Sequence, residues 1–203
     1  MTSIERPKCG SCGAELPGRF AQARMITCES CGTSSVLRDQ AFETAGSGGE
    51  MLDAPSLIRL GQSIVVRSLD LMPVGHARFS YGRGWWDEFW CIDGYGEGHW
   101  LSADEGDYAL ERDLSRDHWP KSFRPRLGAE TEILGQSFTI SEAETASSIA
   151  VRGEFPEELE VGEAHLYFDL SGENSAMATY EKWDGGEAWS IGQWVDPWDV
   201  TLS

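Results

Sequence analysis

Short segments rich in β-branched and aromatic residues recur along residues 57–203 and are separated by glycine or charged turns. A recurrence of roughly 8–12 residues is typical of antiparallel all-β folds. No segment of helical length has an apolar stripe with a period of 3.6 residues. The pattern predicts strands over residues 63–68, 77–81, 86–92, 99–102, 108–112, 130–134, 137–141, 147–152, 165–170, 177–183 and 188–195.

The two halves of this region have similar patterns. Residues 58–61 (IRLG) and 125–128 (PRLG) open them, and each half later has an aromatic strand, a glycine turn and a tryptophan strand. The turns at Asp93-Gly94 and Gly185-Gly186 favour hairpins. We predict two related antiparallel β-units, residues 57–124 and 125–203, packed as a sandwich or a barrel-like module. Chance similarity between hairpins is the alternative.

Four cysteines lie ahead of this module as two CxxC pairs: Cys9, Cys12, Cys28 and Cys31. Two residues between thiols allow a tight turn to direct both sulfurs at one point, so two such turns supply the four ligands of a closed structural zinc site. Gly10, Gly13 and Gly32 are expected to give these turns a positive φ. We therefore predict a zinc ribbon over residues 1–40 and a linker, rich in glycine, serine and alanine, over residues 41–56.

Two other uses of the cysteines are less consistent with the sequence. A disulfide framework needs an oxidising compartment, and residues 1–8 lack the apolar run of a secretory signal. A redox CxxC opens a helix after a strand, whereas both pairs here are followed by glycine. The fifth cysteine, Cys91, is expected to be a small buried hydrophobe.

The chain carries a formal net charge of -18, with 34 acidic and 16 basic residues, and the charge is uneven. Residues 1–40 hold five Lys/Arg and four Asp/Glu, so nearly the whole excess falls on the β-units. An acidic surface repels phosphate backbones, which argues against nucleic acid as the principal partner. No apolar run approaches the roughly 20 residues of a membrane-spanning helix, and we expect a cytoplasmic protein.

The tryptophan strand at residues 86–92 offers candidate chemistry. With a period of two, Glu88 shares a face with two indoles, so a buried carboxylate would need donors, for instance Arg67, Arg78 or Arg83. Alternatively, acidic and aromatic residues from both units form a pocket for a cation such as a polyamine or a Lys/Arg-rich segment. The candidate ligand-binding residues are Trp86, Glu88, Trp90, Trp100, Glu181 and Trp183. The competing interpretation is that the indoles are core and the acids are surface.

Several runs resemble the bacterial domain of unknown function numbered 4178: residues 84–90 (GWWDEFW), 99–102 (HWLS), 154–156 (EFP), 167–170 (YFDL), 178–181 (ATYE) and 192–194 (GQW). The resemblance implies a cysteine ribbon ahead of two copies of one unit, without an established activity. It also implies a genetic neighbourhood of membrane-stress proteins and polyamine-synthase-like enzymes. Residues 69–75 (LDLMPVG) depart from the strand that the family has there.

These observations favour a non-enzymatic adaptor that engages a protein partner, and a partner with a basic surface would complement the acidic β-units. The ribbon would be one docking surface, with Phe20, Met25 and Ile26 as its apolar face, unless these side chains only cover the metal. The alternative is a sensor with the cation pocket described above. An enzyme that uses Glu88 and His99 as an acid–base pair is a third, weaker hypothesis.

Overall fold

The computed structural model describes residues 7–203, which are nearly all β, as the sequence predicts. The described chain has two 3-10 turns, Arg116–His118 and Pro197–Asp199. Residues 1–6, on which the expectation about a secretory signal partly rests, lie outside this range. The strands are β1 Met25–Thr27, β2 Thr33–Arg38, β3 Ala41–Ser47, β4 Ile64–Val66, β5 Leu69–Ser80, β6 Trp85–Asp93, β7 Gly98–Asp104, β8 Asp107–Asp113, β9 Glu130–Ile133, β10 Gln136–Phe155, β11 Ala164–Gly172, β12 Ala176–Trp183, β13 Gly186–Val195 and β14 Val200–Leu202.

Eight of these strands form a closed antiparallel barrel. The order is β5-β6-β7-β8-β13-β12-β11-β10, and β10 pairs back with β5 to complete the ring. The first unit supplies β5–β8 and the second supplies β10–β13. A short strand precedes each set: β4 forms a hairpin with β5, and β9 forms a hairpin with β10. This arrangement is the barrel-like form of the predicted module, and closure leaves no free sheet edge within the ring.

The first barrel strand differs from its prediction. Residues 69–75 are not an interruption, because β5 runs continuously from Leu69 to Ser80. Its register against β6 shifts between Pro73 and Gly75, and such a bulge accommodates a proline that cannot donate to the ladder. At Gly75 a Cβ would lie 2.5 Å from the carbonyl oxygen of Glu154, so the close approach of β5 to β10 at this position requires glycine.

Apolar side chains lie on the outer face of the barrel and are covered there. The β4 and β14 strands pack over one patch that includes Phe89 and Leu101. The segment between β8 and β9 covers another, where the Phe123 ring lies 5.8 Å from Phe168 and 4.8 Å from Tyr180. Because side chains alternate along a strand, these outward apolar residues direct the polar residues between them into the lumen.

The cysteine ribbon is attached to one end of the barrel. Strand β1 pairs with the end of β10, where Met25 faces Phe155 and Ile26 faces Glu154. The fully buried Glu154 carboxylate accepts hydrogen bonds from the backbone N–H groups of Arg19, at 3.0 Å, and Phe20, at 2.9 Å. A buried carboxylate held in this way fixes the ribbon against the barrel.

Two predictions about the ribbon are corrected by this packing. Residues 41–47 are not linker, because β3 pairs with β2 and extends the ribbon sheet to Ser47. Phe20, Met25 and Ile26 do not form a free docking face, because each is at least nine-tenths buried in a core shared with barrel residues such as Trp90 and Phe155. Within residues 7–203, no helix has the length and apolarity that a membrane crossing requires.

Candidate functional site

The barrel encloses a cavity of about 460 Å³, within the range of roughly 300–1,000 Å³ that small-molecule sites occupy. Eight-stranded barrels are wide enough to hold one small ligand. Asp104 and Asp107 line the cavity at the β7–β8 turn, and Glu181 lines it near the β12–β13 turn. Because neighbouring strands are antiparallel around the ring, these turns lie at opposite ends. The cavity therefore runs along the barrel axis.

The lining of this cavity is strongly acidic. Arg83 is the only basic residue among the described residues that line it, and its guanidinium is committed to Glu144, 2.6 Å away. Aromatic walls are provided by Trp86, Trp100 and Tyr167, among others. Nine carboxylates line the cavity: Glu88, Asp104, Asp107, Glu111, Asp113, Glu142, Glu157, Asp169 and Glu181.

Two of the carboxylates compete for one hydroxyl. Thr179 Oγ1 lies 3.1 Å from Glu111 Oε1 and 3.2 Å from Asp169 Oδ1. A hydroxyl has one proton to donate, so it cannot satisfy both acceptors at once. Ser190 Oγ, 3.2 Å away, supplies Glu111 with a second donor. A proton on one carboxyl group or a cation between the two would relieve this competition.

The pKa values of the central carboxyl groups reflect this shortage of positive charge. Burial, with the Asp169 charge adding to it, raises the pKa of Glu111 to about 8. Burial and the Glu142 charge raise the pKa of Asp169 to about 7. Glu88 accepts a 2.8 Å hydrogen bond from Trp86 Nε1, yet burial and the neighbouring Glu181 still raise its pKa well above the usual range. These raised pKa values favour the protonated form of Glu111 at neutral pH.

Stability should consequently fall as the pH rises. Folded Glu111 holds its proton to about pH 8, whereas an unfolded carboxyl loses it near pH 4–5, so the folded state binds more protons between these values. We expect the thermal unfolding midpoint to drop by about 5 °C between pH 6 and pH 9. Asp87, whose pKa is lowered by His76 and Arg78 against the effect of burial, affects stability only at more acidic pH.

Calorimetric unfolding at several pH values measures this dependence. Glu111→Gln is the matched variant: an amide has no such proton to lose, so the pH dependence should become shallower, with the part due to Asp169 and Glu88 remaining. An unfolding midpoint that rises from pH 6 to pH 9 would contradict the protonated lumen.

The carboxylates are too widely spread for a single compact metal site. Among the described residues, the four cysteines are the only group of three or more His, Cys, Asp or Glu residues whose ligand atoms all lie within 4.8 Å of one another. Metal ions such as Ca²⁺ or Mg²⁺ need several oxygens at about 2–2.6 Å from one point. The described lumen carboxylates therefore do not form a cluster of this kind.

The cysteine cluster has the geometry of a closed metal site. The Sγ atoms of Cys9 and Cys31 are 3.7 Å apart, as are those of Cys12 and Cys28. A tetrahedral site with metal–sulfur distances of about 2.3 Å places its sulfurs about 3.8 Å apart, whereas a disulfide would bring them to about 2.0 Å. The four sulfurs can therefore hold one metal ion.

Local backbone geometry produces this convergence of sulfurs. Each CxxC turn closes with a 2.9 Å hydrogen bond, from Gly13 N to the Cys9 carbonyl in one and from Gly32 N to the Cys28 carbonyl in the other. Gly13 and Gly32 have φ values of 77° and 71°, as the sequence predicts. The prediction for Gly10 is wrong, because its φ is not positive.

The residues that the sequence proposed for a ligand site are divided between three places. Trp86, Glu88, Trp100 and Glu181 line the lumen. Trp90 is 5% exposed and lies in the core, with its ring 6.0 Å from Phe20. Trp183 lines a smaller pocket beside the lumen, and Glu181 belongs to both cavities.

Two proposed pairings of Glu88 are wrong. Among residues 7–203 no arginine contacts the Glu88 carboxylate, which accepts from Trp86 instead; Arg78 makes a bidentate pair with Asp87, at 2.7 and 2.9 Å, on the opposite face of β6. The pair with His99 cannot form either. His99 lies opposite Cys91 and Glu88 lies opposite Ser102 in the β6–β7 ladder, so the two side chains point to different faces.

Sequence reasoning missed the other seven lumen carboxylates: Asp104, Asp107, Glu111, Asp113, Glu142, Glu157 and Asp169. Their signal is an alternation of acidic and apolar residues, clearest in β8 (DYALERD). Such alternation predicts a strand with one polar face. It does not distinguish a face toward solvent from a face toward a closed lumen.

These features define a class: a small closed β-barrel with an acidic lumen and a four-cysteine ribbon at one end. A family model described as Domain of unknown function (DUF4178) matches residues 59–197. The match covers more than half of the chain and includes all eight barrel strands, so the chain belongs to this family. Comparison with curated proteins gave no match, and neither did comparison with solved structures.

Proposed function

We propose that the barrel lumen binds a linear organic polycation, a polyamine in the first instance. The observation that carries the proposal is the set of nine carboxylates around one cavity whose only basic lining residue, among those described, is already paired. Removing several charges from water without partners is costly, so a site of this kind is stabilised by the cation that neutralises it.

The shape and walls of the lumen favour a chain-like guest. The acidic groups extend from the β7–β8 turn to the β12–β13 turn, so a molecule with charges at intervals can meet several of them. Indole and phenol faces, such as those of Trp86, Trp100 and Tyr167, accept methylene segments and attract ammonium groups, each by about 0.5–2 kcal/mol. A polyamine has both features.

We further propose that the four cysteines hold Zn²⁺ as a structural ion. Four protein thiolates fill a tetrahedral zinc site and leave no position for water or substrate, so the ion stabilises and does not catalyse. The adaptor hypothesis stays a prediction. The burial of Phe20, Met25 and Ile26 removes the docking face on which it was based, and we give priority to cation binding.

Calorimetric titration of spermidine into the intact, metal-loaded protein tests the lumen proposal. At physiological salt we expect saturable binding of one molecule with a dissociation constant below about 100 μM. Butylamine, with one charge, should bind far more weakly, and so should Mg²⁺, whose charge is compact. Tryptophan emission should change in parallel, because Trp86 and Trp100 line the cavity.

The outcome that would overturn the proposal is equally specific. Absence of a saturable signal with spermidine below about 1 mM would overturn the binding proposal. Equal affinity for spermidine and Mg²⁺ would also do so, because it would indicate a non-specific acidic surface.

A further inference from the structure

The smaller pocket beside the lumen, with a volume of about 70 Å³, has an unusual lining. Phe79 and Trp183 form its aromatic walls, and Ser148 and His165 contribute polar atoms. Five residues line both this pocket and the main lumen, so the two cavities adjoin: Phe79, Glu157, Leu159, Glu181 and Ala188. We call this space the side pocket.

Two polar atoms in the side pocket are buried without a partner. Ser148, 4% exposed, and His165, 9% exposed, each present an atom, Oγ and Nε2 respectively, that has no hydrogen-bond partner among residues 7–203. The His165 Nε2 atom lies 3.3 Å from Glu181 Oε1 but is not aligned to form a hydrogen bond with it. Leaving buried polar atoms unsatisfied is unfavourable, and a ligand in the pocket would satisfy them.

The chemistry of these atoms specifies a donor-rich ligand. Ser148 Oγ can accept a hydrogen bond, His165 Nε2 accepts in the tautomer that carries its proton on Nδ1, and a carboxylate such as that of Glu181 accepts and can pair with a cation. A primary ammonium group has three N–H donors and no acceptor, so it matches three acceptors of which one is charged. Glu157, Glu158, Glu160 and Glu163 also line the pocket and add to its negative field.

We propose that the side pocket binds a terminal primary ammonium group of the ligand in the lumen, through Ser148 Oγ, His165 Nε2 and Glu181. The inference rests on the proposed polycation function and deepens it, because it makes the site selective for amines with free –NH₃⁺ ends. The aromatic rings of Phe79 and Trp183 also line this pocket, and aromatic rings attract a cation.

Two dications of equal chain length separate this recognition from simple charge. Diaminohexane ends in –NH₃⁺ groups, whereas hexamethonium has the same six-carbon spacer but trimethylated ends without N–H donors. We expect the wild-type protein to bind diaminohexane at least about tenfold more tightly than hexamethonium, measured by calorimetry at one salt concentration.

Two variants then test which atoms cause the difference in affinity between diaminohexane and hexamethonium. Ser148→Ala and His165→Phe remove the two unpartnered acceptors while keeping small or aromatic packing, and each should reduce the preference to about threefold or less. Ser147→Ala, which removes the neighbouring hydroxyl on the other face of β10 and outside both cavities, is the matched control and should keep the preference. Thermal unfolding of each variant shows whether it is folded. If His165→Phe does not fold, Ser148→Ala alone is a sufficient test.

Each outcome bears on one proposal or on both. Equal binding of the two dications by the wild-type protein, or a preference that persists in Ser148→Ala, overturns the ammonium site and leaves lumen binding intact. Failure of the wild-type protein to bind spermidine and diaminohexane overturns both.

Discussion

Replacing Glu88 and Glu111 together by glutamine is expected to lower the affinity for spermidine at least about 100-fold. Both carboxylates belong to the central part of the lumen, and Glu111 is 6% exposed, so a cation beside it is little screened by water. Glutamine keeps the size and the hydrogen-bonding oxygen but removes the charge. Losing one close charge pair in a buried site costs a few kcal/mol, and tenfold corresponds to about 1.4 kcal/mol.

The same double variant should be more stable than the wild-type protein in the absence of ligand at pH 8.5. The two carboxyl groups have raised pKa values because burial and neighbouring acids disfavour their charges, and glutamine relieves that repulsion. Opposite effects on binding and on stability identify residues that are kept for a ligand. A residue that only supports the fold would lower both together.

Calorimetric titration and thermal unfolding measure the two effects on the same samples. Glu132→Gln is the matched control, because Glu132 is exposed on β9 and does not line the cavity, and it should change neither quantity. Wild-type affinity in the double variant would remove the lumen from consideration as the binding site.

The strands that the sequence predicted best have local signals. Residues 86–92 were predicted as a strand and β6 spans Trp85–Asp93, because aromatic residues and the Asp93-Gly94 turn define it without help from the rest of the chain. The cysteine cluster is similarly local. Each CxxC turn is closed by its own hydrogen bond, and the spacing predicted the convergence of the four sulfurs.

The long strand β10 was not predicted as one element. The sequence indicated two strands, 137–141 and 147–152, but Gln136–Phe155 is continuous and pairs along its length with β9, β11, β5 and β1. Residues 142–146 (EAETA) have little β-propensity of their own. They become strand because β11 pairs with them, after a register shift between Ile140 and Glu142. Tertiary pairing overrides local preference here.

Closure of the barrel could not be predicted from the sequence. It depends on pairs such as Ala77 with Val151 and Gln193 with Leu110, whose members are distant in the chain. Without closure, the acidic face of β8 predicts a solvent-exposed surface. With closure, the same residues converge on one cavity, which is why two lumen carboxylates were anticipated and most were missed.

Cys28→Ser is expected to abolish stoichiometric metal binding and to unfold the ribbon. Cys28 is 1% exposed and belongs to an apolar cluster that also contains Phe20, Met25 and Trp90. A serine hydroxyl is a poor ligand for a thiolate-bound metal, and structural zinc supplies about 10 kcal/mol or more to modules of this size. Once the ribbon unfolds, β1 leaves the end of β10 and the apolar face around Trp90 is exposed.

Unfolding of the ribbon should also weaken ligand binding in the lumen, because the segment between β10 and β11 contacts both. Leu159 lines the cavity, and its N–H donates to Met25 Sδ at 3.2 Å, while Glu158 pairs with Arg38 at 2.6 Å. Both ribbon contacts disappear in the variant, so we expect spermidine to bind about tenfold more weakly although every lumen carboxylate is still present. The unfolding midpoint of the barrel should fall by about 5–10 °C as buried apolar surface is exposed.

Metal analysis, limited proteolysis and thermal unfolding test this expectation together. Cleavage should be confined to the ribbon, residues 7–47, while the barrel stays resistant. Cys91→Ala is the matched control: Cys91 is fully buried in the outer barrel core and outside the cluster, so its loss should leave the metal content unchanged. Full metal content and an intact ribbon in Cys28→Ser would show that the four sulfurs do not act as one site. The ribbon would then have to be held to the barrel by Glu154 and the shared core alone.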